Sequence, residues 1–147
     1  MALITTSHFN YHTFILSCIF IITKCHDSTT HIAVILPENR DSLFSLSKVI
    51  PAIDLALHNV TSTGLLPAQK VKVKYADSQC SQSDAINQAI NFYMAGQADV
   101  FFGPVCDYAA APLVRQARYW DVPVITSGAF SGDFRAEDGS PVLVSKM

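Results

Sequence analysis

Segments with the pattern of β-strands alternate with segments that have the pattern of α-helices along most of this 147-residue chain. Short apolar runs predict strands at Ile32–Leu36, Val71–Ala76, Ala98–Phe102, Val122–Thr126 and Val142–Val144. Apolar residues at three- to four-residue spacing predict helices over 43–60, 81–95 and 108–120. Because helical segments alternate with these strands through short connections, they form βαβ units, in which the strands run mostly parallel. The sequence predicts an α/β fold, an open and mostly parallel sheet flanked by helices.

Two helices carry more specific expectations. Pro51 lies within the first helical pattern, which predicts a kink or a helix start near it, and Gly64 suits the C-terminal cap. In the second helix, five residues are predicted to face inward: Ala85, Ile86, Ala89, Ile90 and Tyr93.

A hydrophobic run, Phe14–Thr23, precedes the first predicted strand. It has about ten residues, too few for a membrane span of roughly 20. We interpret residues 1–25 as a signal peptide, with a buried N-terminal helix as the alternative. The preceding residues contain no Lys or Arg, which signal peptides usually carry. The remaining residues, 30–147, have the length of a single domain.

The chain has four cysteines, and their positions indicate which of them can form a disulfide. Cys18 and Cys25 would leave with the signal peptide, so Cys80 and Cys106 remain, each just past a predicted strand. In an oxidising compartment this pair predicts a disulfide at the edge of the sheet. Closing a loop of about 27 residues would contribute roughly 3.6 kcal/mol. Two reduced core cysteines are the alternative, and the spacing does not fit a metal site.

The triplet Asn59-Val60-Thr61 is an N-glycosylation sequon, which favours an extracellular location. The formal net charge is −2, without the clustered Lys and Arg that a nucleic-acid partner requires. No nucleotide-binding or metalloprotease motif occurs, and neither His31 nor His58 lies beside a candidate nucleophile. Glu137 and Asp138 are paired carboxylates, but they fall in a predicted loop and are typical of a solvated surface. From these observations together, we expect neither catalysis nor a resident cofactor.

The segment that follows the third predicted strand is the strongest candidate for a site. In an open α/β sheet, ligands bind where strand C-termini and helix N-termini converge. Gly103-Pro104 precedes a helix there and leaves the amides of Val105 and Cys106 free. A disulfide would bring Ser78 close to them, forming a cradle for a small anion such as chloride. An ordinary hydrated turn is the alternative.

The third predicted helix has polar and aromatic side chains on its outer face. Tyr108 and Arg115 stand seven residues apart and therefore on one side, and Arg115 lies beside Gln116 and Tyr119. Exposed aromatic and Arg side chains near a ligand-binding edge are typical interface anchors. A solvated helix face is the alternative.

A family resemblance rests on a ten-residue run, Gly103–Pro112, which reads GPVCDYAAAP. With further segments, it is similar to the natriuretic peptide receptors, and most to their clearance branch. The supporting segments are Ile50–Leu57, Tyr75–Cys80, Arg115, Tyr119–Pro123 and Ser127–Ala129. The resemblance covers about Ile32 to the C-terminus.

The resemblance implies the first part of a lobe with the type I periplasmic-binding-protein fold. Such receptors have a two-lobed extracellular domain, a single membrane span, and either a guanylate cyclase or a short tail inside the cell. They bind peptide hormones between two protomers. This chain would then be a partial N-terminal lobe at the cell surface, homodimeric in the whole receptor and attached to the membrane only through parts absent here.

The resemblance also implies roles for individual residues. Cys80 and Cys106 would form a disulfide, and Ser78 with the amides of Val105 and Cys106 would hold chloride. The hormone would face Tyr108 and Arg115, and the dimer contact would include Gln116 and Tyr119. One departure concerns Gln82, near which one branch of the family has an acidic hormone contact.

Two other functions compete with a hormone receptor. The chain would fit a secreted soluble binding or decoy protein that does not signal. It would also fit a receptor lobe for a small molecule of the amino-acid type. Ser/Thr-rich contacts would serve such a ligand, and the segment Thr126-Ser127-Gly128-Ala129 offers them.

Overall fold

The computed structural model describes residues 29–67 and 70–128, and the backbone of 142–144. The predicted signal peptide, over 1–25, lies outside the described residues, as do Ala129, Glu137 and Asp138. Among the helices of the described ranges, none is both long and apolar enough to cross a membrane.

Five parallel strands form one sheet, in the order β2-β1-β3-β4-β5. The strands are β1 (Thr30–Leu36), β2 (Val71–Asp77), β3 (Val100–Phe102), β4 (Val124–Thr126) and β5 (Val142–Val144). The helices are α1 (Leu46–Ser62), α2 (Gln82–Met94) and α3 (Asp107–Trp120). This architecture confirms the predicted α/β fold. β3 and β4 each begin two residues later than predicted.

The main hydrophobic core lies between one face of the sheet and the helices α2 and α3. Ala33 and Ile35 of β1 and Phe101 of β3 are fully buried there. The helices contribute mostly small side chains, which let them approach the strands closely. The predicted inward stripe of α3 is buried as expected, namely Ala110, Leu113, Val114 and Ala117.

The predicted inward face of α2 is only partly correct. Ala85 and Ala89 are fully buried, but Ile90 and Tyr93 are 39% and 37% exposed. The two alanines sit one turn apart and occupy the line of closest packing. Tyr93 lies at its margin and stacks on Trp120 of α3, with ring centroids 4.3 Å apart. The apolar stripe of α2 is therefore wider than the surface that it buries.

Helix α1 packs loosely on the opposite face of the sheet, and no residue of it is buried. It begins at Leu46, five residues before Pro51, so Pro51 does not start the helix. Leu43, which was included in the predicted helix, lies in the preceding loop and is 75% exposed. Burial raises the pKa of Tyr75 on β2, and the negative charge of Asp54 on α1 raises it further.

Candidate ligand-binding site

The loops at the carboxyl ends of β1 to β4 lie along one edge of the sheet, because these strands are parallel. We call this edge the rim and define it by residues 37–45, 78–81, 103–106 and 127–128. A disulfide joins two of its loops, from Cys80 after β2 to Cys106 after β3, with 5.5 Å between their Cα atoms. Since β1 lies between β2 and β3, this cross-link spans the carboxyl end of β1.

Ser78 is fully buried directly behind the disulfide. Its backbone N–H donates to the carbonyl oxygen of Leu36 at 3.0 Å, which anchors the loop after β2 to the end of β1. Its hydroxyl oxygen accepts from the N–H of Cys80 at 3.3 Å. Among the described residues, no acceptor takes the hydroxyl proton of Ser78. The side chain thus keeps one donor available at a site without contact to bulk water.

The backbone N–H groups of Val105 and Cys106 lie at the start of α3, where Cys106 is the N-cap residue. In the described part of the chain, neither of these groups donates to a protein acceptor. Amides at a helix N-terminus carry partial positive charge and attract anions. The disulfide attaches this pair of donors to the loop that contains Ser78.

The loops after β3 and β4 touch through their backbones. The hydroxyl of Thr126 donates to the carbonyl oxygen of Pro104 at 2.7 Å. A Cβ atom on Gly128 would stand 2.1 Å from the carbonyl oxygen of Val105, so only glycine allows this approach. Gly103 is equally constrained, with φ of +87° and a hypothetical Cβ 2.3 Å from the carbonyl oxygen of Ile35. The rim is therefore a closely packed set of loops.

An apolar cavity of about 300 Å³ opens beside these loops, between the sheet and the start of α1. Its walls include Leu36, Phe44, Val49, Phe102 and Ile125, with Thr126 and Ser127 at one side. Sequence reasoning identified Thr126 and Ser127 but missed the apolar walls. The available indication was that β1 and β3 end in the large apolar residues Leu36 and Phe102, and that Ile125 is the second-last residue of β4.

The structure separates the four predicted residues of α3. Tyr108 lies in the first turn, next to the rim, and its side chain is 78% exposed. Arg115 is also exposed, two turns farther along, or about 10 Å at 1.5 Å per residue. Tyr119, 86% exposed, lies near the far end of the helix. Gln116 is half-buried rather than fully on the outer face, because it adjoins the buried Ala117.

Solved structures with the same fold include bacterial solute-binding proteins. The branched-chain amino-acid substrate-binding protein LivJ of Streptococcus pneumoniae aligns with a TM-score of 0.59 and 19% identity, covering 71% of this chain and 30% of that one. An ABC-transporter substrate-binding protein of Desulfitobacterium hafniense aligns with a TM-score of 0.60 and 17% identity, covering 72% and 30%. The fold is that of a type I periplasmic-binding-protein-like lobe.

The sequence comparisons define the family. A family model described as "Receptor family ligand binding region" matches residues 48–145. The chain therefore belongs to this family of receptor ligand-binding regions, and its relatives within that family are natriuretic peptide receptors.

Two of those relatives indicate the extent of the match. Atrial natriuretic peptide receptor 3 of Homo sapiens is 38% identical over 114 residues, which cover 73% of this chain and 21% of the relative. Atrial natriuretic peptide receptor 2 of Rattus norvegicus is 31% identical over 112 residues, which cover 73% of this chain and 10% of the relative. The chain thus spans about a fifth, or less, of the length of these curated relatives.

Proposed function

We propose that this chain is the hormone-binding part of an extracellular receptor region, in a single-pass membrane receptor for natriuretic-like peptides. The observation that carries the proposal is the pair Tyr108 and Arg115, exposed on one side of α3 beside the disulfide-bonded rim. The membrane span and any intracellular cyclase would belong to parts outside this chain. The lobe itself would bind and not catalyse.

Binding by such a lobe is non-covalent. Tyr108 offers a large, rigid apolar ring with a hydroxyl at its tip. Arg115 offers a planar cation that can donate two parallel hydrogen bonds to one carboxylate. A peptide held between two protomers would favour one arrangement of the dimer over the other. Because its affinity for the two arrangements would differ, the peptide would shift the dimer toward one of them, and this shift would be transmitted to the membrane.

Replacing Tyr108 or Arg115 by alanine is expected to weaken peptide binding by about 1 to 3 kcal/mol for each residue, because each removes an exposed anchor side chain. The measurement is a binding titration of a natriuretic peptide against the secreted receptor ectodomain. Lys72→Ala, a change at an exposed residue of β2, is the matched control and should leave affinity unchanged. Wild-type affinity in both α3 variants would remove these residues from the site.

We further propose that the rim holds a chloride ion through the hydroxyl of Ser78 and the amides of Val105 and Cys106. The support is chemical, since all three are donors without a protein acceptor in the described part of the chain. The hydroxyl of Ser78 is buried, where a donor without a partner is costly. An anion would satisfy it and would also interact favourably with the N-terminal end of α3.

Homodimerisation is proposed to use Gln116 and the strongly exposed Tyr119 on the outer face of α3. Tyr119→Ala is expected to raise the dimer dissociation constant about tenfold, because aromatic side chains dominate such contacts. Sedimentation velocity of the ectodomain across a concentration series measures this. Met94→Ala removes another exposed apolar side chain, at the end of α2, and serves as a comparison. An unchanged dissociation constant for Tyr119→Ala would rule out this face.

We propose that the chain is extracellular and that a signal peptide over 1–25 directs it into the secretory pathway. We also propose that Asn59 is glycosylated. Asn59 is exposed near the C-terminal end of α1, so a glycan there would extend into solvent. The hydroxyl of Thr61 donates to the carbonyl oxygens of Leu57 and His58. The transferase would therefore act before α1 is complete, as is usual for a modification made during secretion.

A small-molecule receptor lobe is the second candidate function, and the apolar cavity favours it. Its volume of about 300 Å³ is at the lower end of the range for ligand pockets. Thr126 and Ser127 are among the residues that line it. Saturable binding of free leucine or benzoate, with no binding of a natriuretic peptide, would establish this function in place of hormone binding.

A further inference from the structure

Thr126 occupies a buried position between two loops of the rim. It is the last residue of β4 and is 3% exposed. Its hydroxyl donates to the carbonyl oxygen of Pro104 at 2.7 Å and accepts from the backbone N–H of Gly128 at 3.2 Å. A hydroxyl is costly to bury unless it is hydrogen-bonded, and valine would have the same shape. The use of threonine here therefore points to the hydrogen bonds that its hydroxyl makes.

The hydrogen bond to Pro104 sets the direction of the next amide. The peptide unit that joins Pro104 to Val105 is trans and planar, so its carbonyl and its N–H point in opposite directions. The carbonyl of Pro104 is directed at Thr126, on the β4 side of β3. The N–H of Val105 consequently points away from β4, toward the side on which β1 and β2 lie.

That side contains the other donors of the proposed anion site. Ser78 follows β2, and the disulfide holds its loop against Cys106. If the peptide plane rotated by half a turn, the carbonyl of Pro104 would replace the N–H of Val105 and present negative partial charge to the anion. One hydrogen bond therefore decides whether this position attracts or repels a chloride ion.

We propose that Thr126 is a positioning residue for the anion site at the rim: by holding the carbonyl of Pro104, it keeps the N–H of Val105 directed at the ion. This inference rests on the proposed chloride site. Thr126 does not contact the ion itself in this scheme. It acts from the end of β4 on the loop after β3, where it orients the N–H of Val105 toward the side of the rim that contains Ser78.

The experiment compares Thr126→Val, which keeps the shape and loses the hydroxyl, with Thr126→Ser, which keeps the hydroxyl. The full chain is secreted with its disulfide intact and titrated with sodium chloride at constant ionic strength against sodium gluconate. The ¹H–¹⁵N resonances of Val105 and Cys106 and the unfolding temperature are followed. Wild type and Thr126→Ser should bind chloride with affinities within about twofold of each other, and Thr126→Val about tenfold more weakly.

Thr63→Val is the matched control. It makes the same chemical change at a hydroxyl that also donates to a backbone carbonyl, that of Asn59 at 2.9 Å, but at the end of α1. It should lower stability slightly and leave the chloride affinity at the wild-type value. A Thr126→Val variant with lower stability but wild-type chloride affinity would show a merely structural role and overturn the inference.

Other outcomes separate the inference from the proposal beneath it. If wild type shows no saturable chloride response, the anion site is absent and the inference falls with it, while hormone binding through Tyr108 and Arg115 is unaffected. If Thr126→Val does not fold, Thr126→Ala and Thr126→Ser carry the comparison. Equal chloride affinity in those two variants would overturn the positioning role and leave the anion site in place.

Discussion

Replacing Cys80 and Cys106 together by serine is expected to lower the free energy of unfolding by about 3.6 kcal/mol, because the cross-link removes conformational entropy from the unfolded chain. The two residues are 26 positions apart and their loops meet only at the rim. Urea unfolding of the oxidised wild type and the double variant measures the difference. For a single lobe of this size, such a loss is a large share of the total stability.

The same variant tests the link between the disulfide and the anion site. Once the bond is removed, the loop with Ser78 is no longer covalently held against the start of α3, so chloride affinity should fall as well. Ser81→Ala serves as the comparison, since Ser81 caps α2 through the N–H of Asp84 and its loss should cost about 1 kcal/mol. A double variant as stable as wild type would show that the loops are held by their other contacts.

Gly103→Ala is expected to destabilise the chain by about 3 kcal/mol or more, for two additive reasons. An L side chain is strained by about 1 to 2 kcal/mol at positive φ, and φ of Gly103 is +87°. The new Cβ would also stand 2.3 Å from the carbonyl oxygen of Ile35, a backbone atom in the core strand that cannot turn aside. Thermal and urea unfolding give the loss.

Gly96→Ala separates these two contributions. Gly96 has a similar φ of +64°, after the end of α2, but a Cβ there would have no atom within 4 Å. Its alanine variant should therefore show only the conformational strain, about 1 to 2 kcal/mol. If the two variants lost the same stability, the close approach between β1 and the loop after β3 would have no energetic consequence.

Both predictions concern contacts that hold the loops of the rim in place. The disulfide joins the loops after β2 and β3. The backbone approach at Gly103 and the hydrogen bond of Thr126 to Pro104 join the loop after β3 to β1 and to the end of β4. A ligand that binds such an edge meets donors that are already oriented, so little conformational entropy is lost on binding.

Several elements of the candidate site were predictable because their signals are local. The helical pattern after Gly103-Pro104 placed Tyr108 at the start of a helix, and the position of each cysteine after a strand predicted a cross-link at the sheet edge. The face of α2 was predicted less well. Ile90 and Tyr93 share the periodicity of Ala85 and Ala89, and a pattern of spacing contains no information about how wide the packed contact is.

The alternation of strands and helices in the sequence by itself determined the α/β class, the parallel sheet and the edge where the strand C-termini meet. The reason is that residue spacing fixes local structure, and that strands joined through a helical crossover lie parallel in one sheet. The tertiary structure alone decided which strands are neighbours and which loops touch. The contact of Thr126 with Pro104 joins residues 22 positions apart, and the cavity joins β1, β3, β4 and the start of α1. Such contacts depend on how the whole sheet packs, and the residue spacing within a single segment contains no information about that packing.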